Sequence, residues 1–352
     1  MTLRDILQHR LSNQKILQDK FMRPADVLTW LGAIQGQDYA GALWSIGLRM
    51  QHATIAEIEQ AFIGKTIVRT WALRGTLHMV AASDLRWLLA LVAPRIIAGN
   101  AGRYRELHLD DRTLARSTES IVRALEGGRP LNRTELLAIL ERQGISTAGQ
   151  RAAYMLQRAS LDGLVCQGVM RRNVPTFMLA DDLPQGTILM DREGALAELA
   201  KRYFQSRSPA SLQDFAWWSG LSTADARAGM SMIGGGDKWM PHGKRTAKDQ
   251  AAEVHLLPGF DEYLLGYKDR TAMLESNHRQ KWSPGNSGMF NPIIIVNGRV
   301  AGTWKRRIKK DGVIVETNFF PNHRKPRNRD LEFSVSRYGA FLGLPIELSF
   351  TA

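Results

Sequence analysis

Cysteine is nearly missing from this chain: Cys166 is the only one among 352 residues. One thiol excludes an internal disulfide framework and any zinc site built from paired cysteines, and it fits a reducing compartment. No run of 18 or more apolar residues occurs, so no membrane-spanning helix is expected. The opening MTLRDILQHR carries charges throughout, unlike the apolar core of a signal peptide. Neither GxGxxG nor GxxxxGK followed by Ser or Thr is present, which argues against dehydrogenases and kinases. The eight histidines include no HExxH and no His-x-His pair, so neither a metal nor another cofactor is expected. A cytoplasmic, nucleoid-associated protein fits these absences.

Positive charge is abundant. Lys and Arg number 47 against 34 Asp and Glu, a formal net charge of +13. A surplus of this size favours a polyanionic partner: DNA, RNA or an anionic membrane surface. A membrane-surface role needs a basic amphipathic helix, whereas the basic runs here sit in expected hairpins and turns. An apolar fraction of 44% is that of a globular protein, and the length suits several domains.

The order of turn and cap signals predicts an α+β fold of three tandem winged-helix units followed by a small β-barrel, or an open sheet, with a closing helix. The first unit, 1–110, has a helix over 24–34 opened by Pro24, a short helix capped by Thr54, and a hairpin VRTWALRGTLHMV that breaks at Gly75. A helix from Ser83 follows. The second unit, 111–185, reads as three helices and a wing: LARSTESIVRALEGG, then NRTELLAILERQG with Asn132 or Thr134 as cap and Glu135 in its first turn, then TAGQRAAYMLQRASLDG. The third unit, 186–255, repeats the helix-turn-helix order with Ser211 and Ser222 as caps, and with Trp217 and Trp218 as packing residues. In the last segment, 256–352, Asn297-Gly298 and Asp311-Gly312 mark the turns of a meander over 293–320, and RDLEFSVSRYGAFLG closes the chain as a helix.

Basic residues collect at the expected hairpin tips: Arg69 and Arg74 in the first, Arg171 and Arg172 in the second, and Lys305, Arg306, Arg307, Lys309 and Lys310, next to Trp304, in the last. Cations at wing tips displace counterions from DNA, and these residues are candidate DNA contacts. A solvated turn is the plain alternative for any one of them. For chemistry, two polar stretches stand out. LGAIQGQDYAGALW sets Gln35, Gln37 and Asp38 after an apolar run, where they either act on a substrate or finish a helix end. PGFDEYLLGYKDR carries Asp261, Glu262 and Asp269, whose carboxylates are expected to pair with nearby bases such as Lys268 and Arg270.

These stretches, together with DFAWWSGL and GTWKR, resemble the AlkZ-type winged-helix DNA glycosylases from about residue 5 to 345. The resemblance implies a C-shaped basic channel that embraces double-stranded DNA. It also implies monofunctional excision of alkylated, cationic purines such as N7-alkylguanine and N3-alkyladenine, with bulky adducts and interstrand crosslinks in the range. Its Gln-x-Gln signature falls on Gln35 and Gln37, and Asp38 is a candidate to orient them. The family's middle residue is usually aliphatic; here it is Gly36, which would loosen the backbone. A cationic base departs without protonation, so a neutral amide that holds a water beside the oxocarbenium-like sugar suffices, with no cofactor and no Schiff base. A monomer working on alkylated DNA is the expected partnership; a non-catalytic winged-helix transcription regulator is the alternative.

Overall fold

Caps and turn residues decide where the elements begin and end. The computed structural model describes residues 1–184, 190–235, 238–239, 253–285, 288–321, 323 and 325–350. Helix α1 (Leu3–Asn13) is opened by a capping box in which the Thr2 and Asp5 side chains each accept the other's backbone N–H. Helix α2 (Pro24–Leu31) has Pro24 in its first turn and stops at Gly32, whose φ of +79° ends the helix. The apolar run therefore ends short of the glutamines. Gln35 lies on a short strand, β1 (Ile34–Gln35), and not on a helix end. Helix α3 (Tyr39–Gly47) and helix α4 (Ile55–Ile63), with its Thr54–Glu57 capping box, precede the hairpin of β2 (Ile67–Trp71) and β3 (Leu77–Ala81). In α5 (Leu85–Gly99) the cap position belongs to Asp84 and not to Ser83. Its carboxylate is drawn off to Trp87 Nε1 at 3.0 Å and to Arg202 at 2.5 Å. Helix α6 (Ala101–Glu106) follows.

The next stretch contains α7 (Asp111–Leu125), β4 (Leu131–Asn132), α8 (Arg133–Arg142) with the Asn132–Glu135 capping box, α9 (Arg151–Leu161), β5 (Val165–Arg171) and β6 (Val174–Leu179). Then come α10 (Arg192–Arg207), β7 (Ala210–Ser211), α11 (Leu212–Ser219) and α12 (Thr223–Met232), with Ser211 and Ser222 as the N-caps of the last two helices. Strand β8 (Lys238–Trp239) pairs with β7. Part of the expected third unit, 186–189, 236–237 and 240–252, lies outside the described residues. The chain ends with β9 (Val254–Leu257), α13 (Glu262–Leu265), α14 (Arg279–Trp282), β10 (Ile293–Val296), β11 (Arg299–Lys309), β12 (Gly312–Phe319), α15 (Asn328–Leu342) and β13 (Ile346–Phe350).

The first two hairpins join. They form one six-stranded sheet, in the order β1-β3-β2-β5-β6-β4, through the pairing of Arg69 with Gln167. Of the two expected forms, the closed barrel is not formed among the described residues: the C-terminal strands make an open five-stranded sheet, β13-β12-β11-β10-β9, with β12 and β13 parallel. Closure is replaced by cover. Helix α15 packs on β9 and β13, and its Tyr338 wedges between Trp44 of α3 (5.0 Å between ring centres) and Trp304 of β11 (5.1 Å). An apolar sheet face hidden under a helix has no need to curl on itself.

Buried apolar residues fall into two clusters. The smaller joins α7, α8 and α9 to Val165 and Phe177. The larger runs from α1 to α15, so the N-terminal elements, α10–α12 and the C-terminal sheet share one core. No helix among the described residues is long and apolar enough to cross a membrane.

Candidate functional site

The Gln35–Gly36–Gln37 segment is clamped through its backbone. Gly36 N–H donates to Leu77 O at 2.7 Å, the Gly36 carbonyl accepts from Arg69 Nε at 2.9 Å, and Gln35 N–H donates to Glu262 Oε1 at 3.3 Å. Arg69 is thus not at a hairpin tip. It sits in the middle of β2, 8% exposed, with its other arm donating to Gln167 Oε1 at 2.7 Å. Ile67 to Thr70 are all buried, so β2 is covered on both faces and Arg69 has no solvent side; burial lowers its pKa. It is a strut from the glutamine segment to β5.

The pairing of Gln35 with His78, and of His78 with Thr70, puts these three side chains on one face of the sheet. His78 is wholly buried, and its pKa is pushed down to about 3, first by burial and then by Arg74. The imidazole is therefore neutral near pH 7. Its Nδ1 faces Thr76 O at 2.9 Å, whereas its Nε2 and the Thr70 hydroxyl have no hydrogen-bond partner among the described residues. Gln35 is buried at 8% exposure, and its Oε1 accepts from Arg74 Nη2 at 3.3 Å. Arg74 does lie at the β2–β3 turn, in the left-handed conformation (φ +57°), but it points inward. It also donates to Trp218 O and lies over the Trp217 ring at 5.1 Å.

Glu262 joins the parts. Fully buried, it accepts from Arg207 Nη2 at 2.7 Å, from Trp218 Nε1 at 2.8 Å and from Gln35 N–H. Arg207 in turn donates to Leu31 O, at the end of α2, at 2.9 Å. Asp261 takes both arms of Arg49 at 2.9 Å and the Ser45 hydroxyl at 2.6 Å. Burial pushes its carboxyl up, but Arg49 and these hydrogen bonds outweigh burial and hold it below its usual range. The expected partners Lys268 and Arg270 are not used. Asp269 accepts from Thr271, and Arg270 donates to Leu264 O at 2.8 Å. Arg270 lies over Trp217 at 4.6 Å and Trp282 at 5.1 Å. Trp218 is core, as expected, whereas half-buried Trp217 serves as a platform for Arg74 and Arg270.

Gln37 is exposed in a bend, and its side chain has no partner among the described residues. Asp38 caps α3 by accepting from Gly41 N–H at 3.1 Å. With Gly41, Trp44, Pro258, Pro292, Trp304 and Arg306 it lines a cavity of about 120 Å³. Trp304 is buried, its Nε1 donating to Leu257 O at 2.9 Å, so it is a wall of that cavity and not an exposed aromatic. Arg306 donates to Tyr338 OH at 2.6 Å in the same place. The remaining basic candidates face solvent: Arg171 and Arg172 at the β5–β6 turn, and Lys305, Arg307, Lys309 and Lys310 on the β11–β12 hairpin. Arg171 pairs with Glu135 and Arg307 with Glu316; the other four have no carboxylate partner among the described residues.

Folding therefore brings Gln35 together with Arg74, and both with Glu262, while Asp38 shares its cavity with Arg306 and Gln37 faces solvent. It leaves Arg171 and Arg172 on a separate tip. His78 and Arg207 were not singled out in the sequence because nothing local marks them: each meets Gln35, or a residue touching it, only across the fold. The arrangement offers neutral amides on a fixed backbone with cations close by. It suits the holding of a polyanion and the placing of a small polar molecule.

A model of the family described as "DNA glycosylase AlkZ-like" matches residues 28–341. A protein of Streptomyces sahachiroi named an interstrand DNA cross-link repair glycosylase is 26% identical over 346 residues, covering 88% of this chain and 90% of that protein. The solved structure of the Streptomyces sahachiroi DNA glycosylase AlkZ superposes with a TM-score of 0.81 at 23% identity, over 99% of each chain, which shows a shared fold. The matched stretch takes in both the clamped glutamine strand and the basic C-terminal hairpin, and on that match the chain belongs to the AlkZ-like DNA glycosylase family.

Proposed function

We propose that this chain hydrolyses the N-glycosidic bond of cationic N-alkylated purines in double-stranded DNA, N7-alkylguanine and N3-alkyladenine first, with bulky adducts or interstrand crosslinks in its range. The name of the Streptomyces relative favours the crosslink end of that range. The observation that carries the reading is the pair of amides on a locked backbone: Gln37 exposed and without a partner among the described residues, Gln35 beside it and gripped through Arg74 and Glu262.

In this reading the C1′–N bond breaks, and its electron pair leaves with a base that becomes neutral. No general acid is required. The sugar becomes oxocarbenium-like, and an amide oxygen of the pair holds the attacking water and places negative dipole beside the developing cation. Gln37 reaches the DNA, while Arg74 and Glu262 keep Gln35 from turning away. The water's proton passes to solvent, with Asp38 as the nearest carboxylate on the motif. An uncharged amide avoids the desolvation cost of an unpaired carboxylate. Undamaged neutral purines, being poor leaving groups, are spared. With no amine taking part, the product is an abasic site.

Phosphates are held by Arg171, Arg172, Lys305, Arg307, Lys309 and Lys310, and one molecule suffices. The tandem winged helices and C-shaped channel belong to the same reading, with the basic turn of the β11–β12 hairpin on one wall. A non-catalytic regulator is disfavoured by the family match.

Release of N7-methylguanine from duplex DNA tests this. Gln35→Ala and Gln37→Ala should each lose about two to four orders of magnitude in single-turnover rate while still binding DNA. If both excise like the unaltered protein, the mechanism is wrong.

A further inference from the structure

We propose that Glu275, His278 and His323 form a binding site for a divalent cation of the zinc class. The three donor atoms all lie within 4.8 Å of one another. Glu275 stands just before a 3₁₀ turn, Ser276–His278, in which positions three apart eclipse, so its carboxylate and the His278 ring come out on the same side. His323 arrives from the connection between β12 and α15.

The distances leave the cluster unexplained by hydrogen bonding. His278 Nδ1 is 3.8 Å from Glu275 Oε2, and His323 Nε2 is 3.9 Å from Glu275 Oε1. Both gaps are too long for hydrogen bonds. Ligands around tetrahedral zinc sit about 3.3–3.5 Å apart, given bonds of about 2.0–2.1 Å. Small side-chain rotations therefore close the site. Both of these ring nitrogens are buried and have no hydrogen-bond partner among the described residues, and His278 is only 5% exposed. Buried polar atoms are rarely left so.

The surroundings steady the donors. Phe320 packs on the His278 ring at 4.3 Å. Arg299 Nη2 donates to Glu275 Oε1 at 3.0 Å, the outer hydrogen bond that ligating carboxylates commonly have. Two imidazoles and one carboxylate suit zinc. Calcium and magnesium want six or more oxygens, and the positive charge of Arg299 and of Lys281, which lies over Phe320, disfavours an ion held by charge alone. Glu275, 39% exposed at its side chain, leaves a way in and a fourth position for water. A bound ion would staple the stretch ahead of β10 to the end of β12. That stretch also carries Trp282, which supports Arg270, so the ion would stiffen one border of the Arg74–Trp217–Arg270 group.

The test uses the full chain without a histidine tag, stripped with a chelator and then given zinc chloride. Metal content per chain and the unfolding temperature are read for the unaltered protein, His323→Ala and Glu275→Gln. His323 belongs to no helix or strand, and Glu275→Gln keeps the size of its side chain, so the second variant alters a donor with little change in packing. The expected result is one zinc per chain and a rise of roughly 2–4 °C in unfolding temperature at saturation, both absent in the two variants. Magnesium should give no shift. No retained zinc in the unaltered protein, or equal retention in both variants, overturns the proposal; an equal shift with magnesium overturns the zinc assignment. Base release is not needed for any readout, so this result stands apart from the fate of the glycosylase mechanism.

Discussion

Gly36 is where a single residue departs from the aliphatic pattern of the family it resembles. A loose backbone was the expectation, but the chain is tight there: its N–H and carbonyl are both bonded, to Leu77 and Arg69. Nor does the conformation demand glycine, since its φ is outside the left-handed range. A Cβ would meet Met79 at 3.4 Å and Arg69 Nε at 3.5 Å, ordinary contact distances. Gly36→Ala should therefore fold, gain roughly 0.4–1 kcal/mol by restricting the unfolded chain, and keep its base-release activity. Denaturant unfolding and the N7-methylguanine assay check both halves. A large loss of activity in a stable Gly36→Ala protein would mean that glycine is needed there for motion. At the same scale, Arg69 shows why charge in a hairpin is a poor guide by itself. What covers the strand decides whether an arginine meets solvent, and β2 is covered on both faces from Ile67 to Thr70.

At the scale of an element, the β11–β12 hairpin shows how one strand serves two purposes. Trp304, Arg306 and Ile308 share one face of β11, and Lys305, Arg307 and Lys309 the other. Near its base Trp304 is locked into the core; at the tip Ile308 is 61% exposed and the lysines stand free. The β12 side stays in the sheet up to the turn, with Val313 buried and paired to Ile346 of β13, so it is the β11 side and the turn that meet solvent. If it lies on phosphates, the triple variant Lys305→Ala, Lys309→Ala, Lys310→Ala should reduce the steepness of log Kd against log salt by roughly 2–3 units, with little change in unfolding temperature. An unchanged slope would remove this tip from the DNA contacts. The turn of this hairpin, Asp311-Gly312, and the one before it, Asn297-Gly298, were legible in the sequence because such pairs act locally. The Thr54, Asn132, Ser211 and Ser222 caps were legible for the same reason. Ser83 failed because a nearby carboxylate, Asp84, had taken the position and has distant partners of its own.

Across the whole molecule, the decisive contacts are two buried ion pairs, Arg49–Asp261 and Arg207–Glu262. They tie α3 and α10 to the segment around α13, and Glu262 extends the tie to Gln35. Glu262→Gln leaves the Arg207 charge buried without its counterpart, which should cost about 3–5 kcal/mol. Base release should fall as well, because the backbone of Gln35 loses a charged anchor. Adding Arg207→Met should restore much of the stability but not the activity. Urea unfolding and single-turnover excision separate the two effects; a Glu262→Gln protein as stable as the unaltered one would refute the account.

The sequence by itself determined the α+β class, most caps and hairpins, the positive surplus and the two glutamines worth watching, since each of these rests on residues close along the chain. Its Glu275, His278 and His323 carried no such signal, because no short spacing connects all three. Only the tertiary structure decided that the last sheet stays open under α15, that Arg69 and Trp304 are buried, and that Glu262 reaches Gln35. Burial and ion pairing depend on which distant surfaces meet. Local spacing cannot encode that partner, so the same carboxylate reads as a neighbour of Lys268 in the sequence and as the keystone of the glutamine segment in the fold.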